Sequence, residues 1–271
     1  MTLAAPAARG TPRPIRALLL RYLLLLRREP ARWVDAFYWP LLDVLIWGFI
    51  TIFVAERGIA LPNVVAVFLG AIILWNLFFR VAQDVSVSFL DDVWARSVVT
   101  IFASPLSMAE FVVAIMGLGL IKVTLTGVAV SGVAWLLYAF NIFDLGFALL
   151  PFFVNLVLLG WTMGLVCMAV ILRWGGRWAI IAWSLPMLLM PFSSVLWPES
   201  VLPPVARAVA QAVPANHVFE GMRALLLEGR FAADRLILAT ALNLLYLFGA
   251  AALIGWVYRV ALRRGLLPKV H

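Results

Sequence analysis

The sequence predicts an all-α, polytopic membrane protein, and three observations lead there. Of its 271 residues, 65% are hydrophobic and 13% charged, against roughly 45–50% and ~25% in soluble domains. Six apolar stretches recur along the chain, each near or above the roughly 18 residues needed to cross hydrocarbon. Lys and Arg are divided unequally between alternate connections. Only helices and closed barrels satisfy the backbone in lipid, and continuous apolar runs lack the alternation of barrel strands. The spans consume most of the chain, so a single transmembrane domain over 1–271 is expected.

The elements follow in order. Segment 1–36 is expected to be cytoplasmic. Its apolar run 18–26 is broken by Arg21, is too short to span, and has no small-residue cleavage site after it. At 100° per residue Arg13, Arg16, Arg21, Arg27 and Arg28 share an arc of roughly 140° opposite most leucines. A basic amphipathic helix of this kind lies along the membrane surface, and Pro30 is expected to end it. The six predicted spans are 37–54, 64–81, 111–138, 147–172, 178–196 and 236–260. An even number places both termini on one side. That side holds fifteen of the 21 Lys and Arg, the other five, and Lys122 lies within a span. The bias predicts that both termini are cytoplasmic, and a bacterial inner membrane is the expected location. The net charge of +8 then answers anionic membrane lipids rather than nucleic acid. Trp135, Tyr138 and Trp197 fall at outer span ends and Trp39, Trp174, Trp178 and Trp256 at inner ends, as an aromatic belt requires.

Two segments outside the spans are informative. In the cytoplasmic segment 84–108, Val87, Leu90, Trp94, Val98 and Ile101 recur at helical spacing within an arc of roughly 80°. Asp91, Asp92 and Arg96 lie off that stripe. The spacing predicts one helix over 84–103, stopped by Ser104-Pro105. Such a helix either plugs into a partner's groove or rests on the headgroups. Ser107 and Glu110 then read as a capping box opening the third span. In the external segment 197–234, apolar and proline-rich pieces follow Pro186 and Pro191 of the fifth span. Proline breaks a membrane helix, and the freed backbone must be satisfied by protein or a wet cavity. A partly re-entrant external hairpin is expected there.

The polar residues inside the spans are Asp43, Asn76, Lys122 and Asn155, with Arg80 and Gln83 near an inner end. Ionisable residues in a bilayer are functional candidates. Lys122 lies roughly 17 Å along its helix and can snorkel to headgroups, while Asp43 is expected to pair with Lys122 or with a neighbouring arginine. His217 is external and lone, which favours a structural role over a metal site. Cys167 is the only cysteine, so neither a disulfide nor a cysteine metal site forms within one chain. No catalytic, cofactor or metal residues are expected. No GxxxxGK[ST] phosphate loop is present, so any ATP chemistry belongs to a partner.

Taken together, these features resemble the ABC-2 family of transporter permeases, and the likeness covers nearly the whole chain. The most specific part lies between the last two predicted spans. There Ser193-Ser194, Trp197-Pro198, Leu202-Pro203-Pro204, Pro214, Asn216-His217 and Arg223 look like the family's signature. A second match is FASPLSMAE, Phe102 to Glu110. The Gly-Thr pair common just upstream in the family is replaced here by Arg96-Ser97-Val98. The resemblance implies an exporter permease that pairs with a second copy or a similar subunit. It implies two cytoplasmic ATPase subunits carrying ATP and Mg, contacted by the N-terminal helix and by the 84–103 coupling helix. The cargo would be a lipid-linked glycan, a lipid or an amphiphilic small molecule. A secondary transporter, expected to show repeated halves, and a structural membrane subunit are the alternatives.

Overall fold

The computed structural model describes residues 12–28, 30–57, 64–104 and 106–263. Both chain ends, and with them the expected placement of the termini, lie outside the described residues. Helix α1 spans Pro12–Arg28, α2 Pro30–Glu56, α3 Val64–Trp94, α4 Val98–Ala103 and α5 Met108–Tyr138. A 3-10 segment Ile142–Ala148 leads into α6, Leu149–Trp174. Short turns flank α7, Ile181–Leu188, and are followed by α8, Pro204–Gln211, α9, Pro214–Glu228, and α10, Ala233–Arg263. No strand occurs among the described residues. The all-helical reading holds, and α2, α3, α5, α6 and α10 are long and apolar enough to cross a membrane.

α3 is the central helix. Its apolar window is 83% buried, against 22% for α2 and for α10, and it packs on α2, α5 and α6. Two apolar clusters divide the bundle along its length. One gathers Leu18, Tyr22, Phe89, Phe111, Leu172 and Ile254 at the end that carries α1. The other gathers Ile73, Phe78, Phe152, Phe219, Met222 and Leu236 at the end that carries α8 and α9.

The structure corrects three expectations. First, 178–196 is not a continuous span. Its only α-helix is the eight-residue α7, followed by the 3-10 turn Met190–Phe192. Pro186 and Pro191 each remove a backbone donor, so a regular ladder cannot propagate. The segment still packs between the two clusters, from Ala179 and Ile181 at the α1 end to Val195 at the other. Second, 84–103 is not one helix. α3 runs on to Trp94, and Arg96 takes a left-handed φ of 54°, which breaks the ladder before α4. Val87, Leu90, Asp91 and Asp92 therefore sit on the last turns of α3. Third, Lys122 pairs with Asp84 and not with Asp43. The capping box is present: Glu110 N–H donates to Ser107 Oγ, and Ser107 N–H donates to Glu110 Oε2 at 2.8 Å.

Candidate functional site

At the α1 end the organising residue is Asp92. It lies one turn after the fully buried Phe89 on α3 and so shares its inward face, and α1 packs across α5 beside it. This turns the carboxylate inward. It accepts hydrogen bonds from Arg21 Nη2 at 2.7 Å, from Ser97 Oγ at 2.7 Å, and from the Tyr22 hydroxyl. Burial pushes the Tyr22 phenol well above its usual range, and the neighbouring Asp92 charge adds to the shift. The Arg21 guanidinium also lies over the Tyr22 ring, 5.2 Å from its centroid. One carboxylate thus ties together α1, the end of α3 and the turn into α4.

Beside this knot a groove of about 500 Å³ runs between α1 and α4, lined by Leu18, Arg21, Thr100, Ile101, Ser104 and others. Arg21 Nη1 is buried there without a hydrogen-bond partner. The predicted stripe is split. Leu90 and Val98 are buried in the chain's own core, Val87 and Ile101 are half-buried, and Trp94 alone stands out, 58% exposed. Asp91 is half-buried and Arg96 exposed. Arg16, Arg27 and Arg28 of α1 are exposed, as are Leu20, Leu23 and Leu24. Leu18, Tyr22 and Leu26 face the bundle instead.

Inside the bundle α3 presents Asn76, Arg80 and Asp84 four residues apart, hence on one face. Asn76 hydrogen-bonds Asp43. Arg80 Nη2 donates to the Ala36 carbonyl at 3.2 Å. Pro40 explains that contact, because it has no N–H to give the carbonyl four residues back. Asp84 pairs with Lys122, and its second oxygen is buried without a partner. Between α6 and α10, Asn243 Nδ2 donates to the Asn155 carbonyl at 2.9 Å and to its side-chain oxygen at 3.0 Å, while Thr240 donates to that same oxygen.

At the opposite end Glu199 is the hub. Its carboxylate accepts from Arg235 of α10 at 3.0 Å, Gln211 of α8 at 3.2 Å and Asn216 of α9 at 3.3 Å. Burial alone would raise its pKa, but these three donors outweigh it and hold the carboxyl below the usual range. Glu199 N–H donates to Glu220, which also receives Arg223 at 2.7 Å. His217 is buried, with Nε2 2.9 Å from the Gln211 carbonyl. Of the signature residues, Pro214 is buried at the start of α9, Pro203 and Pro204 are exposed at the start of α8, and Pro198 is half-buried. Trp197 is half-buried with its indole N–H unpartnered.

Sequence reasoning named Asp92 and Arg21 without joining them, offered Asp43 rather than Asp84 as the partner of Lys122, and missed Tyr22, Asp84, Glu199 and Arg235. The four-residue spacing of Asn76, Arg80 and Asp84 was the available signal for Asp84. Nothing local marks Glu199, whose carboxylate partners lie 12 to 36 residues away. Among the described residues no three His, Cys, Asp or Glu gather as a metal site. No family model and no curated protein matches the sequence.

Proposed function

We propose that this chain is the permease subunit of an ATP-driven exporter of the ABC-2 type. It would work in a bacterial inner membrane with a second copy or a similar permease and two cytoplasmic ATPase subunits. The observation that carries the reading is the α1 end, where Asp92 ties a basic amphipathic helix to the central helix beside a groove and an exposed Trp94. A force applied to α1 or α4 from outside would pass through Asp92 into α3, which contacts most of the bundle. ATP-driven closure of two ATPases could bias a rigid-body rocking in this way.

In this reading the broken segment 178–196 is a sixth crossing, which leaves both chain ends on the cytoplasmic side. The α8–α9 unit is the external re-entrant hairpin. Lipid-linked glycans, lipids and amphiphilic small molecules are the fitting cargo, since the helices offer broad apolar faces.

The test is to co-express the chain with an ATPase encoded beside it and compare two variants. Trp94→Ala removes an exposed aromatic, the kind of side chain that anchors interfaces. We expect reduced ATPase recovery, with thermal melting unchanged. Leu90→Ala empties a fully buried site and should instead cost about 2–5 kcal/mol of fold stability. The chain alone should neither bind nor hydrolyse ATP. Unchanged ATPase recovery with Trp94→Ala, or hydrolysis by the chain alone, would overturn the proposal.

One observation favours a second reading, a secondary transporter: Asp43, Asn76, Arg80, Asp84 and Lys122 form a polar line inside the helices, where ionisable groups mark ion pathways. Transport by vesicles that hold this chain and a pH gradient, without any ATPase, would decide for it.

A further inference from the structure

A pocket of about 310 Å³ opens between α3, α5 and α6 beneath the turn Ile142–Ala148. It lies in the half of the bundle away from α1, since Ile73, Leu77, Val123 and Phe153 of its wall belong with that cluster. No charged residue lines it. The Thr124 hydroxyl is spent on the Leu120 carbonyl of its own helix, 2.8 Å away. The cavity therefore has very little to offer a polar ligand and a large contact surface for hydrocarbon.

The backbone builds its mouth. Gly146, at φ 57°, reverses the chain between Leu145, which is buried, and Phe147, which is 99% exposed. Phe143 and Leu150 are exposed beside it. The inner wall is closed by Leu77, seated so near Gly127 that a Cβ there would lie 2.8 Å from its methyl. Behind that wall is a crevice of about 10 Å³ lined by Asn76, Arg80 and Thr126, the room of about one water. The Thr126 hydroxyl, on a residue 3% exposed, is unpartnered there. The pocket is thus lined mainly by apolar side chains, and the Leu77 wall separates it from the polar crevice behind.

We propose that it holds one acyl chain of a phospholipid from the leaflet at the α8–α9 end, bound in place rather than exchanging with the bulk. The surroundings supply this occupant. The pocket opens among helices of membrane-crossing composition, where the solvent is hydrocarbon, and its volume is at the low end of ligand pockets. Enclosure on three sides gives a chain more contacts than a flat helix face can. The inference rests on the pocket alone and stands whether or not the chain is an exporter subunit.

The test uses the full chain in nanodiscs containing a phosphatidylcholine with a photoreactive diazirine on its acyl chain. The discs are irradiated after a lipid-free detergent wash, and the labelled peptides are mapped by mass spectrometry. We expect label on 123–131 and 146–153 to survive the wash, while label at Leu245 and Phe248, exposed on α10, is lost. Ser131→Trp, which fills the pocket from α5, should reduce pocket label to background with melting unchanged. Val128→Trp, from the exposed rim, is the second variant should the first fail to fold. Pocket label that washes out with the α10 label, or that survives both substitutions, overturns the proposal. So does pocket label that disappears only when the chain dimerises, because a second copy would then be the occupant.

Discussion

Asp92 is the residue that ties α1 to the end of α3 by hydrogen bonds. Three donors converge on a buried carboxylate, and hydrogen bonds to charged groups are worth about 1.5–3 kcal/mol each. The Tyr22 hydroxyl is the best shielded donor, so we predict that Tyr22→Phe costs about 1.5–3 kcal/mol in chemical unfolding and exposes α1 to protease. The Arg21 side chain is 37% exposed, and solvent screens its charge. Arg21→Gln should therefore cost less, up to about 1 kcal/mol. A larger loss from Arg21→Gln than from Tyr22→Phe would refute this ranking. Glu199 makes a pH prediction. Its folded pKa is depressed, so its stabilisation is complete above the unfolded value of about 4.3 and is lost as pH falls through the lower folded value. Protease protection of α8 should persist near pH 5 and fail in stronger acid. In Glu199→Gln protection should be weaker at neutral pH and lack that acid step, as limited proteolysis across pH would show.

At the scale of elements, α3 and α6 come to backbone contact, and two glycines make it possible. A Cβ at Gly160 would lie 2.7 Å from Val81 Cβ and 3.0 Å from the Phe78 carbonyl. One at Gly164 would lie 2.5 Å from Val85 Cβ and 3.0 Å from the Ala82 carbonyl. Gly-xxx-Gly spacing lets membrane helices approach to backbone contact, where packing rather than hydrophobicity holds them. Because the obstacle is backbone, it cannot swing aside. We predict that Gly164→Val costs about 1–3 kcal/mol or more and lowers the melting temperature in detergent. Gly132→Val on α5, where a Cβ meets nothing within 4 Å, should leave melting unchanged. Equal effects at the two sites would show that propensity, not packing, sets the cost.

Across the whole molecule, polar hubs close both ends of the bundle and a polar line runs inside it. Five unbroken helices and the broken segment 178–196 connect the ends. If all six cross the bilayer, Arg96 and Arg263 lie on one side and Glu228 on the other. In a Cys167→Ala background we predict that Arg96→Cys and Arg263→Cys react with a membrane-impermeant maleimide only after the cells are opened. Glu228→Cys should react in intact cells. Reaction of Arg263→Cys in intact cells, with Arg96→Cys protected, would mean that 178–196 does not cross and that five spans is the true number.

The helical class, the order of the long helices and the capping box at Ser107 and Glu110 were legible in the sequence. Each follows from local chemistry: continuous apolar length, breakers, and side chains that reach backbone within one turn. Inward-facing stripes were legible in part. Leu90 and Val98 were recognised as apolar positions, but periodicity cannot say whether a stripe meets a partner, lipid or the chain's own core. The break at Arg96 was also hidden, since around its left-handed backbone the Arg96 N–H donates to the Val93 carbonyl and the Ser97 N–H to the Asp92 carbonyl, bonds that only the folded turn creates. The pairings of Asp84 with Lys122, Arg21 with Asp92 and Glu199 with Arg235 link residues 38, 71 and 36 positions apart. Sequence composition determined that this chain needs a hydrocarbon solvent, because that depends on summed apolar surface. Tertiary structure alone decided which buried charges meet, because that depends on which helix faces come together in the folded bundle.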